Sequence, residues 1–291
     1  MSNFRGIWVA LVTPFRSGQV DIQALQDLAK KLLADGVRGL VVCGTTGEAA
    51  AMNKDEQLEV LDAVLQIALP GQVIMGLSGN NLSEVLAFQQ KMQSRDIAGV
   101  LVPAPYYIRP SQQGIESFFQ AVADASSVSV VLYDIPYRTG VRIERETLRR
   151  IVHHPRIAAV KDCSGDIETT MALIADGNAE ILTGEDIQIF NNLALGGAGA
   201  ISASAHISPK LYVQMMQEMD SGDLISARAT LYRLLPWIRI AFIEPNPAVI
   251  KAALSVQGII TNELREPMQP CSSMTIERLG SVLSDLVCQS A

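Results

Sequence analysis

Lys161 closes the run Ile157-Ala158-Ala159-Val160-Lys161, whose apolar residues read as a buried strand. A lysine so placed gives up the hydration of its ammonium, and burial pushes its pKa down toward neutrality. A neutral amine in a pocket attacks carbonyls, so the chemistry in prospect is an imine on Lys161. Taken alone, the run also fits an edge-strand lysine that blocks pairing between sheets. Other reactive groups tip the balance. Gly44-Thr45-Thr46-Gly47-Glu48 follows another apolar run. Two hydroxyls between glycines let backbone N–H groups approach a small anion such as a carboxylate. Four of the six tyrosines fall in two segments, Pro105-Tyr106-Tyr107-Ile108-Arg109-Pro110 and Leu132-Tyr133-Asp134-Ile135-Pro136-Tyr137-Arg138-Thr139-Gly140. A tyrosine hydroxyl near an amine can donate and accept the protons that imine formation moves. Arg138 offers a rigid fork for a second carboxylate. Singly, these features also describe a Gly-rich turn, aromatic packing and a solvated loop charge.

The elements that must position these groups alternate strand and helix. Ile7–Thr13 is strand-like, and Asp21 caps a helical stripe of Ile22, Leu25, Leu28, Leu32 and Leu33 that stops at Gly36. Strands are predicted at Gly39–Gly44, Val73–Leu77, Val100–Pro103, Ser129–Tyr133, Ile157–Lys161, Ile181–Thr183 and Gly199–Ala203. Helices follow from Asn53 (with Glu56 as a capping box), Ser83, Ser111, Glu144, Asp166, Ile187 and Ser208. Eight such units in about 220 residues match a (β/α)₈ TIM barrel. The continuous apolar runs suit buried parallel strands. A doubly wound open sheet is the competing fold, but its GxGxxG turn after the first strand is absent. Gly196-Gly197-Ala198-Gly199 precedes the eighth strand, the wrong end for a barrel site, and reads as a turn. Beyond Gly222 only helices are predicted, at Ala227–Ile243, Pro247–Val256 and Met274–Val287. The expected organisation is a catalytic barrel over 1–222 and a small helical C-terminal domain over 223–291.

Composition narrows the function. The 291 residues are 48% hydrophobic and 18% charged, enough for one large core. A net charge of −7 with no basic cluster argues against nucleic acid. Cys43, Cys163, Cys271 and Cys288 form no CxxC and read as free thiols in a reducing cytoplasm. Ile7–Val12 is too short for a signal core, and no run approaches the roughly 20 residues of a membrane span. His153 and His154 are adjacent and so point to different sides of a helix, while His206 stands alone. That pattern does not support metal catalysis, and no metal or cofactor is expected.

In Ala10–Pro14, Gly44–Glu48, Pro105–Pro110, Leu132–Gly140, Val160–Gly165, Gly196–Ser202 and Glu244-Pro245-Asn246-Pro247 the chain resembles the dihydrodipicolinate synthase family. That family belongs to the pyruvate-dependent Schiff-base lyases, with N-acetylneuraminate lyase. The resemblance implies that Lys161 forms the imine. It implies that Tyr133, Thr45 and Tyr107 relay protons, and that Thr46 with Gly47 and the neighbouring backbone holds the pyruvate carboxylate. Arg138 would hold the carboxylate of aspartate semialdehyde, and Ile201 would lie near the lysine. It further implies a cytoplasmic homotetramer, a dimer of dimers with Tyr106 at a subunit contact, and a lysine-feedback site at Asn80, Glu84 and Tyr106. The chain departs from the family at Asp134 (often Asn), at Asp162-Cys163-Ser164-Gly165 (often Glu-Ala-Thr-Gly), and at Lys54 and Gln57, where some members carry histidines. A cation at such a position weakens binding of a cationic ligand. The implied activity is condensation of pyruvate with aspartate semialdehyde. The alternatives are a lyase for a 2-keto-3-deoxy sugar acid or sialic acid, and a non-catalytic barrel that binds a small molecule.

Overall fold

A computed structural model of the chain describes residues 4–288. Its strands are β1 (Gly6–Ala10), β2 (Phe15–Arg16), β3 (Gln19–Val20), β4 (Gly39–Val42), β5 (Val73–Gly76), β6 (Gly99–Pro103), β7 (Ser129–Asp134), β8 (Ile157–Asp162), β9 (Glu180–Thr183) and β10 (Gly199–Ser202). Its α-helices are α1 (Ile22–Ala34), α2 (Lys54–Leu65), α3 (Leu82–Met92), α4 (Gln112–Asp124), α5 (Pro136–Thr139), α6 (Arg145–Val152), α7 (Ile167–Asp176), α8 (Ile189–Ala194), α9 (Pro209–Asp220), α10 (Leu224–Ala241), α11 (Ala248–Val256) and α12 (Ser273–Cys288). The strands other than β2 and β3 close a parallel barrel in the order β1-β10-β9-β8-β7-β6-β5-β4. The TIM barrel and the C-terminal helices are as the sequence predicts. Residues of β1, β4, β5 and β10 are buried throughout, which is why these strands read as unbroken apolar runs.

Helix starts follow local chemistry. The Asp21 carboxylate accepts from Ala24 N, and Asn53 with Glu56 forms the complete capping box. Some starts differ from expectation, as at Leu224 rather than Ala227, and two of them have a plain local cause. The helix predicted from Ser83 begins at Leu82, because Asn81 is the residue whose side chain accepts from the Ser83 and Glu84 amides. The helix predicted from Ile187 begins at Ile189, because Asp186–Gln188 forms a tighter 3₁₀ turn. The short antiparallel pair of β2 and β3 was not anticipated. Gly196 sits at φ +94° between α8 and β10, as a turn requires.

The chain forms two compact units. One comprises residues 69–201 with Phe4 and Arg5, and the other Gly6–Ala68 with the chain from Ser202 onward. Among the described residues no helix is long and apolar enough to cross a membrane. Cys43, Cys163 and Cys271 are free thiols. The side chain of Cys288 lies outside the described residues.

Candidate active site

Lys161 lies near the C-terminal end of β8, in register with Tyr133 on β7 and Leu182 on β9. A strand paired on both sides is no edge, which removes the blocking role considered for this lysine. The side chain is 6% exposed, and Nζ stands 4.3 Å from the centroid of the Tyr133 ring. Burial pulls the amine below the usual lysine range, opposed in part by Cys163, Asp186 and Glu185. That shift favours the nucleophilic form. Tyr133 is also buried, and burial raises its hydroxyl well above the usual phenol range. A phenol that keeps its proton is a donor. The lysine side chain passes directly against Gly184, just beyond β9. A Cβ on Gly184 would overlap Lys161 Cε and Cys163 Sγ and lie 3.0 Å from Lys161 Cγ. Gly184 does not adopt a positive φ, so space rather than backbone conformation calls for glycine there.

Most of this unit's other candidates are solvent-facing. Tyr107 is 86% exposed at φ +70°, its amide donating to Thr139 O at 3.1 Å. Among the described residues its side chain makes no hydrogen bond to Lys161 or Tyr133. Tyr106 N donates to Asn80 Oδ1 at 3.0 Å, which ties two of the three feedback candidates together. The third, Glu84, accepts from Asn81 Nδ2 at 3.1 Å. Arg138 sits in the one-turn helix α5, exposed, with Cζ 5.7 Å from the Tyr137 ring centroid. Ile201 is buried on β10. Asp134 follows Tyr133 on β7 and pairs in register with Asp162. Burial, then the Asp162 charge, raises its carboxyl to about 7. The Asp134 carboxyl is thus far easier to protonate than an ordinary aspartate.

The second unit carries the hydroxyl loop that follows β4. Cys43 and Glu48 bracket Gly44–Gly47 and both adopt left-handed backbone, at φ +52° and +54°. Such residues cost about 1–3 kcal/mol each and persist only where their surroundings hold them. Thr13 Oγ1 donates to Gly47 O at 2.8 Å, and Asn246 Nδ2 to Thr46 Oγ1 at 2.9 Å. A Cβ on Gly47 would stand 3.0 Å from Leu11 O, so that glycine allows the loop to pack close. Thr45 is exposed and Thr46 buried. The Glu48 side chain turns inward to 2% exposure and meets the ammonium of Lys251, whose side chain has no exposure. Glu48 Oε2 also accepts the Arg265 amide at 3.0 Å, whereas Oε1 has only the Lys251 ammonium as partner.

Gly184, Cys163 and Lys251 lay outside the candidates drawn from sequence. Gly184 and Cys163 left no signal, since their contacts are between strands. Lys251 had one: it is the sole charge in Ala248-Val249-Ile250-Lys251-Ala252-Ala253-Leu254.

Known proteins share this architecture and sequence. A model of the dihydrodipicolinate synthetase family matches residues 3–286. The 4-hydroxy-tetrahydrodipicolinate synthase of Thermodesulfovibrio yellowstonii is 35% identical over 285 residues, covering 96% of this chain and 97% of that one. The chloride-inhibited dihydrodipicolinate synthase of Acinetobacter baumannii, solved with pyruvate, superposes with a TM-score of 0.93 at 30% identity over 97% of this chain and 99% of that one. The synthase of Cyanidioschyzon merolae, solved with lysine bound, gives 0.94 at 29% identity over 99% of each. With a buried strand lysine on a parallel barrel and a match along nearly its whole length, this chain belongs to the dihydrodipicolinate synthetase family.

Proposed function

We propose that this protein is a lyase that condenses pyruvate with L-aspartate 4-semialdehyde to give 4-hydroxy-tetrahydrodipicolinate, in lysine and diaminopimelate biosynthesis. The observation that carries it is Lys161, buried with a depressed pKa against the Tyr133 ring. The Lys161 amine adds to the keto carbon of pyruvate, and loss of water leaves the imine. The iminium acidifies the pyruvate methyl, which loses a proton to give an enamine. The enamine carbon attacks the aldehyde carbon. The amino group of the semialdehyde then displaces Lys161 from its imine, closing the ring and freeing the enzyme, with one water released overall. Tyr133, Thr45 and Tyr107 move the protons, Thr46 and Gly47 hold the pyruvate carboxylate, and Ile201 packs near the lysine. Arg138 grips the aldehyde's carboxylate with two parallel N–H···O bonds. A fork suits a carboxylate, whereas a polyhydroxy sugar tail needs hydroxyl partners, so Arg138 favours the synthase over a sugar-acid lyase.

The same proposal extends to assembly and control. The protein is a cytoplasmic homotetramer with Tyr106 at a subunit contact, and its barrel and helical domains divide at 222. Lysine binds at Asn80, Glu84 and Tyr106, but weakly. Lys54 adds a cation, and the Gln57 amide is committed to Ala49 O and Met52 O at 2.9 and 3.1 Å. The deciding experiment incubates the protein with pyruvate and borohydride, maps the modified residue by mass spectrometry, and assays a panel of aldehydes. A reduced pyruvyl adduct on Lys161 and preference for aspartate semialdehyde are expected. An adduct elsewhere, or none, refutes the mechanism, and a preferred sugar aldehyde refutes the substrate.

A further inference from the structure

We propose that Lys251 is a positioning residue for the Gly44–Glu48 loop: by neutralising Glu48 inside the core it holds Thr45 and Thr46 in the conformation that receives a carboxylate. The loop cannot hold itself. It is bracketed by two left-handed residues that are not glycine, and its own backbone bonds are Glu48 N to Thr45 O at 3.1 Å and Ala49 N to Gly44 O at 3.4 Å. Glu48 is the loop's one charged residue, and its side chain is all but sealed from solvent. A carboxylate there without a cation would protonate or turn outward to water. Turning outward would carry Thr45, Thr46 and Gly47 with it.

Lys251 is itself fixed from three directions. Its Nζ donates to Glu263 O at 2.8 Å, rests 4.2 Å from the Phe15 ring centroid, and pairs with Glu48. The surrounding segment is tied down as well. The Glu263 carboxylate accepts from Ser17 N and Gly18 N at 2.9 and 2.6 Å. Arg265 places its guanidinium carbon 4.5 Å from the Phe15 ring centroid and forks onto Glu56 at 2.5 and 2.9 Å. The C-terminal chain therefore grips the loop through Glu48, and through Asn246 on Thr46. None of these groups has a part in the imine chemistry itself, which leaves positioning as what Lys251 contributes.

The inference rests on the reading of this loop as the holder of the pyruvate carboxylate, and the test separates the two. Wild type, Lys251→Met and the charge-free double variant Glu48→Gln/Lys251→Met are compared for folding, pyruvate KM, kcat and borohydride trapping on Lys161. The double variant is included because a lone buried carboxylate in Lys251→Met can prevent folding, whereas removing both charges does not leave one stranded. Both variants lose the tie between residue 251 and the loop, so whichever folds should show a pyruvate KM raised about tenfold or more, with kcat within about threefold and full trapping at saturating pyruvate. A merely structural role would lower the folded fraction and leave the KM of what remains unchanged. A folded variant with wild-type KM overturns the inference and leaves the proposed function standing. Absence of any adduct in wild type overturns both.

Discussion

Replacing Gly184 with alanine tests whether Lys161 depends on a space kept clear for it. The new methyl carbon would overlap Lys161 Cε and Cys163 Sγ. Non-bonded carbons rest about 3.5–4.0 Å apart, so one of these groups must yield by roughly 1 Å. Cys163 is buried and its amide is fixed to Asp134 O at 2.8 Å. The far end of the lysine chain is the softer partner, and it moves. Misplacing a reacting group by about 1 Å costs on the order of 10²-fold in rate, equivalent to about 2.7 kcal/mol of barrier. The assay is the rate of borohydride-trapped adduct formation with pyruvate, with kcat/KM beside it. Gly177→Ala serves as control: that residue sits at φ +66° in open space, so alanine strains the backbone without crowding anything. It should cost about 1–2 kcal/mol of stability and leave trapping unchanged. A folded Gly184→Ala protein that traps pyruvate at close to the wild-type rate would refute the reasoning, because the overlap leaves the lysine no room to stay in place.

Other perturbations probe the remaining groups. Tyr133→Phe should stay folded and lose about 10²- to 10⁴-fold in turnover, the span of a general acid–base group; near-normal turnover would exclude it as the shuttle. Arg138→Ala should lower kcat/KM for aspartate semialdehyde by roughly one to three decades and spare the pyruvate adduct, since a charge-assisted hydrogen bond is worth about 1.5–3 kcal/mol; an unchanged aldehyde constant would rule out the fork. His206 gives a pH test of stability. Its Nε2 accepts from Val12 N at 3.1 Å and its Nδ1 faces Ala203 O at 2.7 Å, so the ring is neutral, and burial lowers its pKa from 6.5 to about 4. A depressed folded-state pKa means stability that is full above pH 6.5 and is lost as pH falls toward 4, up to about 3 kcal/mol at 1.36 kcal/mol per pK unit. Denaturant melts of wild type and His206→Asn across pH 7.5 to 4 check this, and parallel profiles would show that His206 does not supply the slope.

The barrel was legible because buried parallel strands leave long apolar runs, and helix starts because capping is written into adjacent residues such as Asn53 and Glu56. Lys161 was legible as a charge stranded in such a run. Lys251 carries the same mark, yet no apolar-strand rule points to it, and its partner Glu48 lies two hundred residues away in the chain. Gly184 was silent for a different reason: a glycine needed for space looks like any other until the side chain that fills the space is seen. The β2–β3 pair escaped because two-residue strands have no periodicity to read. The exposure of Tyr107 likewise depends on the loop conformation at φ +70°, which no residue-by-residue rule gives.

The grip of Lys251 on Glu48 has a consequence for how the protein is made. The Gly44–Glu48 loop precedes Lys251, Glu263 and Arg265 in the chain and is synthesised well before them. A nascent chain that has just passed β10 already contains every barrel strand and Lys161. It lacks the Lys251 cation for Glu48, and the Gly44–Glu48 loop stays unset. At about 5–20 residues per second, the ribosome needs several more seconds to supply the missing partners. Lys161 is thus in the chain before the Glu48 loop has its full set of partners, and the loop can take its final form only after synthesis has passed Arg265.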